Sequence, residues 1–277
     1  MSAGDQTAPE RENPPGQPAR PAPRLTVVSE EPETAAGTAP HATPRRGSLL
    51  AVCGLCDGAG TGALAYLVAL YAARSGHGHV LVADTGGPSG EIACYTGVQA
   101  PRSLVELAEH VSAGLPAGQL VATTREGLRV LATGPRFAPG CARDAVGLLL
   151  DHARDRYPLT VIDCGTLARE ADQIALQKAS HVAWVLPATA GAMRRARPVL
   201  DTIDPHPDAG ELLAARHDPR ERKPPVRELR RLAEQRQATL ILLPTLPDLA
   251  AGNPGEALEI AQVPLQAIHG ALSRRGR

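Results

Sequence analysis

From Ser48 onward the chain alternates between short unbroken apolar runs and longer stretches in which apolar residues recur every three or four positions. The runs are SLLAVCG (48–54), HVLVADT (79–85), GLRVLATG (127–134), LTVIDCG (159–165), HVAWVLP (181–187), ELLAARH (211–217) and TLILLP (239–244). Helical spacing fills most of the gaps. Leu64, Leu67, Val68 and Tyr71 share one helical face, and Ala145, Leu148, Leu149 and His152 share another. Strands that are apolar on both sides and separated by helices predict an α/β fold. The expected form is a three-layer sandwich around a mostly parallel, doubly wound sheet. Right-handed crossovers place the strand C-termini on one edge, where such sheets bind ligands. The residues just after each strand therefore carry the chemical information.

Residues 1–46 follow different rules. Prolines fall every few positions in APERENPPGQPARPAPR and EEPETAAGTAPHATPRR, with almost no apolar periodicity. Such a segment cannot bury enough surface to offset its chain entropy, so it reads as a disordered tail. LTVVSE (25–30) is the one stretch in it that could dock as a strand, although a solvated linker is the better reading. The folded domain is then 47–277.

Composition narrows the function only slightly. Lys+Arg and Asp+Glu balance at 29 each, which gives no global signal for nucleic acid or membrane. Aromatics make up 2%, so the core must be built from Leu, Val, Ile and Ala. No segment approaches a membrane span, and the N-terminus lacks a basic-then-apolar leader, so a cytoplasmic protein is expected. Five cysteines at irregular spacing do not form a disulfide framework.

The first strand runs into Gly54-Leu55-Cys56-Asp57-Gly58-Ala59-Gly60-Thr61-Gly62 and then a helix. A glycine-rich turn of this kind points backbone N–H groups at an anion, and the helix N-terminus adds a favourable dipole. A working phosphate loop needs G-x-x-x-x-G-K-[ST]. Gly60 fits the second glycine, but Leu55 stands at the first, Thr61 at the lysine and Gly62 at the magnesium-binding hydroxyl. Taken alone, the loop could equally be a tight strand-to-helix turn with no ligand. Two further strands, however, end in aspartates, Asp84 and Asp163.

With GLRVLATG and the late PTLPDLAAGNPGEA, this order of elements resembles the ParA/MinD family of deviant-Walker P-loop ATPases over residues 48–270. The branch it looks most like is the MinD-like CpaE or TadZ proteins and the septum-site-determining proteins related to them. The family loop reads K-G-G-x-G-K-[ST]-[ST]. Against it, Cys56 takes the place of the signature lysine that crosses a dimer, and Asp57 that of a glycine. Gly58 and Gly60 match, Thr61 replaces the second lysine, and Gly62 and Ala63 replace the hydroxyl residues. The resemblance makes Asp163 the Walker B magnesium ligand and Asp84 the first aspartate of D-x-D, whose second position is Gly86. The adenine-reading asparagine is replaced near Ala215. What remains for nucleotide binding is Gly58, Ala59, Gly60, Thr61, Gly62, Asp84 and Asp163, with Asp163 holding magnesium only when nucleotide binds. Each charge-assisted phosphate contact is worth roughly 1.5–3 kcal/mol. Losing both lysines, the hydroxyl and the water-positioning carboxylate argues against fast hydrolysis.

The implied role is a MinD/ParA-like localisation or scaffold factor with little or no ATPase activity, in septum placement or in polar pilus or secretion assembly. Its partner would be a secretion-type ATPase or a division protein, or a second copy in a homodimer, and ATP or ADP with magnesium would bind weakly at most. The alternative is an atypical ATP-dependent switch that partitions DNA or binds a membrane. MRRARP (193–198) and RHDPRERKPPVRELRRLAEQR (216–236) are locally basic, but acids interleave and a solvated helix face is favoured. Leu265, Ile268 and Leu272 form one face of a C-terminal helix, expected to pack on the domain rather than to sit in a membrane. Cys53, Cys56 and Cys164 come close if the strands are neighbours. Small residues filling a tight turn explain them better than a metal or redox site.

Overall fold

A computed structural model describes residues 46–274, apart from 77, 86–90, 99, 101, 117–120, 133–142, 205–208, 219–223 and 252–253. The tail assigned to 1–46, LTVVSE included, lies outside the described residues except for Arg46. The strands are β1 (Ser48–Gly54), β2 (Val80–Asp84), β3 (Ala122–Thr123), β4 (Arg129–Leu131), β5 (Leu159–Asp163), β6 (His181–Pro187), β7 (Gly210–Arg216) and β8 (Thr239–Leu243). They form one sheet in the order β3-β4-β2-β5-β1-β6-β7-β8. Every pairing is parallel except β3 with β4. The predicted α/β sandwich is therefore the observed fold. The sequence pattern missed only the two-residue β3, which is too short to show periodicity.

The helices that matter for the site are α1 (Thr61–Arg74), α2 (Ile92–Thr96), α4 (Arg143–Arg156), α5 (Glu170–Lys178), α6 (Ala190–Thr202), α7 (Val226–Gln235) and α9 (Gln262–Arg274), with α3 (Leu104–Ser112) and α8 (Pro254–Ile260) completing the layers. Two cores lie on opposite faces of the sheet. Alternate residues of β1 feed them: Leu49, Ala51 and Cys53 join Trp184 and Leu150, whereas Leu50 and Val52 join Leu67 and Ile268. Period-two alternation with both faces buried is why the strand reads as one apolar run. Leu265, Ile268 and Leu272 are buried against this second core, as expected for α9. The face expected for α4 is corrected. Leu148 is 55% exposed and His152 is exposed, whereas Ala145, Val146, Leu149, Leu150 and Ala153 are buried. The buried arc extends from Ala145 and Leu149 toward Val146 and Leu150, whereas Leu148 and His152 lie on the other side of Ala145, so two of the four predicted positions fall outside it. Among the described residues, no helix is long and apolar enough to cross a membrane.

Candidate functional site

The loop after β1 is built by glycines. Gly54 N–H reaches the Gly165 carbonyl at 2.6 Å and Leu55 N–H reaches the Val185 carbonyl at 2.9 Å, which draws the chain inward before it turns. Gly58 (φ 68°) and Gly60 (φ 90°) then sit in the left-handed region. Gly60 is the N-cap of α1, which begins without a side-chain cap and without an acid in its first turn. Its first N–H groups, with their partial positive charge, open onto a cleft of about 510 Å³. Of the sequence-predicted residues, Gly58, Ala59, Gly60, Thr61, Asp84 and Asp163 line this cleft, and Gly62 stands just behind it.

The opposite wall is acidic. Strands β2 and β5 are neighbours in register, and Asp84 faces Asp163 directly across the ladder. Asp163 is 9% exposed and accepts the Gly165 N–H at 3.0 Å. The Thr61 hydroxyl also bonds to it. Burial pushes its carboxyl above the usual aspartate range against those two donors, and the neighbouring Glu91 and Asp172 push the same way. Asp172, 1% exposed on α5, is raised by burial too, although the Thr85 hydroxyl, the Arg169 N–H and the Arg169 guanidinium oppose the shift. Glu91, just before α2, accepts a short bond from the Tyr95 hydroxyl. A Cβ at Gly62 would lie 3.1 Å from both Asp163 Oδ2 and Glu91 Oε2. Two carboxylates thus converge on Gly62, at the first turn of α1.

Two arginines supply the positive charge. Arg216, the last residue of β7, reaches back over the loop and donates from Nη2 to the Gly58 carbonyl at 3.0 Å. Its Nε, buried and without a hydrogen-bond partner among the described residues, lies 3.5 Å from the Cβ position of Gly60. Arg169, on the β5 side, donates from Nη1 to the Thr85 hydroxyl at 3.4 Å. Against these stand six carboxylates on the described cleft wall: Asp57, Asp84, Glu91, Asp163, Asp172 and Asp248. The formal balance of the described wall is four negative charges.

Sequence reading missed Glu91, Arg169 and Asp172. Arg216 opens the basic stretch 216–236 expected to be a solvated face, but it ends β7 and turns, half-buried, over the loop instead. Arg169 and Asp172 follow β5 within nine residues, but neither belongs to a motif. The sulfurs are brought together in part. Cys53 and Cys164 are free, fully buried thiols hydrogen-bonded to each other, which with burial raises the Cys164 thiol well above its ordinary range. Cys56 is half-buried and packs on the same core. Among the described residues, no three Cys, His, Asp or Glu side chains gather closely enough to hold a metal ion.

No protein-family model and no curated protein matches the chain. Solved structures do. A ParA-family ATPase from Chlorobium tepidum superposes with a TM-score of 0.65 at 16% identity, over 84% of this chain and 96% of its own. MinD in the MinC:MinD complex of Aquifex aeolicus gives 0.63 at 15% identity, over 82% and 95%. McdA of Cyanothece, in an ATP complex, gives 0.62 at 13% identity, over 82% and 97%. Identities this low speak for architecture alone. From β1 to α9, the chain has the fold of the ParA and MinD ATPases.

Proposed function

We propose that residues 47–277 are a degenerate ParA/MinD-type domain with little or no ATPase activity. In this reading the chain acts as a localisation or scaffold factor, in septum placement or in the polar assembly of a pilus or secretion machine. One observation carries it. Thr61, in the lysine's place, gives its hydroxyl to Asp163, while the carboxylates of Asp163 and Glu91 close on Gly62. A triphosphate needs cations and a magnesium-ligating hydroxyl there, and catalysis of its transfer is chiefly charge neutralisation and positioning. The described wall offers the opposite sign. The remnant residues Gly58, Ala59, Gly60, Thr61, Gly62, Asp84 and Asp163 then serve as a strand-to-helix turn and an acidic edge. Phosphate release from ATP with magnesium tests this. Release at the level of a protein-free control is expected. Turnover that rises with protein concentration and disappears in Asp163→Ala overturns the reading.

A second reading is favoured by a different feature. Arg216 over Gly58 and Arg169 beside Thr85 put two guanidiniums on the cleft wall, as many cations as the family loop has lysines. An atypical ATP-dependent switch would use them to hold a phosphate. The exposed Arg194, Arg195 and Arg197 of α6 would then offer a phosphate-binding face for DNA. A monomer-to-dimer shift in sedimentation on adding ATP and magnesium supports this second reading over the first.

A further inference from the structure

We infer that the open edge of the sheet at β8 is the docking site for the chain's own residues 25–30, LTVVSE, which add to it as an antiparallel strand. The inference is independent of what the cleft binds. β8 pairs with β7 alone and ends the sheet. Its register fixes where its backbone groups point. Leu243 pairs with Arg216 and its carbonyl accepts the His217 N–H, so Leu243 faces β7. Successive residues of a strand face opposite neighbours, so Leu240 and Leu242 turn their N–H and C=O groups outward. Among the described residues, those groups have no backbone partner. The side chains match the backbone. Leu240 is half-buried against the core that holds Leu229 and Leu232 of α7. Leu242, two positions on and on the same face, is 47% exposed. The strand TLILL carries no charge and no proline, the usual means of blunting an exposed edge. The opposite edge, β3, is only two residues long and offers no comparable ladder.

Pattern, reach and charge select the occupant. By itself LTVVSE reads as a linker; an open edge gives it a partner. Its Thr-Val-Val centre suits a strand, and Leu25 and Val27 share one face, as Leu240 and Leu242 do. Fifteen residues, 31–45, join it to Arg46 at the start of β1. An added strand lies four spacings from β1 through β6, β7 and β8, about 19 Å away. A coil of that length spans about 20–23 Å, so the linker sits near the length that maximises effective concentration. β1, β6, β7 and β8 all run the same way. Antiparallel addition therefore ends the segment at the edge of the sheet where β1 begins, and the linker need not run back along a strand. Charge agrees. The exposed positions of α6 and α7, the helices on the Leu240 face, hold six arginines against three acids. Glu30, Glu31 and Glu33 end or follow the segment, against Arg24 before it. Pairing β8 with its mate in a second copy would instead bring two such basic faces together, which is unfavourable.

Residue-resolved amide hydrogen exchange on the full-length chain tests this. The outward N–H groups of Leu240 and Leu242 are the reporters, and the inward ones of Ile241 and Leu243 are the internal reference. The comparison is the double substitution Thr26→Pro with Val27→Pro, which removes one ladder donor whichever register the segment takes. It lies outside the folded domain, so the domain itself is not at risk. Leu240 and Leu242 should exchange at least about tenfold more slowly in the unsubstituted chain than in the double variant, at every protein concentration. Ala36→Pro, in the linker, should keep that protection. Free exchange of both amides in the unsubstituted chain overturns the inference. So does protection that survives the double proline, because another segment then covers the edge. A loss as large in Ala36→Pro also overturns it. Protection that grows with protein concentration, with a dimer in sedimentation, overturns it in favour of pairing between copies.

Discussion

Replacing Arg236 with methionine should cost the fold about 3–5 kcal/mol, the range for removing one partner of a buried ion pair. Arg236 caps the C-terminal end of α7 and is 8% exposed. It donates to the two oxygens of Glu211 at 3.0 and 2.8 Å, and to the carbonyls of Leu200 and Ile203 at the end of α6. Glu211 also accepts Trp184 Nε1 at 3.0 Å, and the guanidinium lies over the Trp184 ring. The substitution thus strips the counter-charge from a carboxylate that is 8% exposed and removes two donors that tie α6 to α7. At about 2–4 °C per kcal/mol for a domain of this size, the melting midpoint falls by roughly 6–20 °C. Urea unfolding followed by circular dichroism gives the free energy directly. The double variant Glu211→Gln with Arg236→Met should recover part of the loss, because no charge is then stranded, with a coupling of at least about 1 kcal/mol. A single-variant loss below about 1 kcal/mol, or strict additivity in the double, would refute the reasoning.

Two further outcomes follow from the cleft. Folding raises the carboxyls of Asp163 and Asp172 above the ordinary aspartate value of 3.8. The folded state therefore holds those protons to higher pH than the unfolded state. The resulting stability is fully present below the unfolded value and is lost as pH rises through the folded one. Asp163→Asn should accordingly raise the melting midpoint at neutral pH and flatten its decline between mildly acidic and neutral buffers, and a lower midpoint at pH 7 would contradict it. Gly60→Ala meets no steric block, since Arg216 Nε would lie 3.5 Å from the new Cβ, but it forces an L-residue to φ 90°. That should cost about 1–2 kcal/mol in a denaturant titration, and an unchanged midpoint would mean that α1 can start on an ordinary residue.

Fold class was legible because the physics that fixes it is periodic. Buried parallel strands such as Leu49–Cys53 must be apolar at every position, and that run is visible without neighbours. The α1 face fared well because most of that helix is buried. The α4 face fared worse, because Leu148 is apolar yet exposed and sequence cannot tell an exposed leucine from a core one. The loop was legible as a motif with its charges missing. What replaced those charges was not. Arg216 comes from a strand 158 positions away from Gly58, and Glu91 reaches Gly62 from the segment before α2. Such pairings depend on the strand order β5-β1-β6-β7, which no local pattern encodes.

The features that keep this architecture and those that would make it an ATPase reside in different residues. Gly58 and Gly60 are needed for the turn whatever occupies the cleft, because their backbone is left-handed. The in-register pairing of Asp84 with Asp163 follows from the sheet, not from a ligand. The fold can therefore form without a lysine in this loop. On the function proposed above, a cation and a hydroxyl could not be introduced at one position. A lysine at 61 would return a cation but would take away the Thr61 hydroxyl that now bonds to Asp163. A hydroxyl residue at 62 would have to displace Asp163 Oδ2 and Glu91 Oε2, both 3.1 Å from its Cβ. Glu91 is exposed and can swing away, whereas Asp163 is held by the Gly165 N–H at the buried end of β5. The two changes are thus coupled through one aspartate. Thr61 and the backbone at Gly62 are packed together around Asp163 as part of an acidic surface, and the sign of that surface bears on what the cleft can bind.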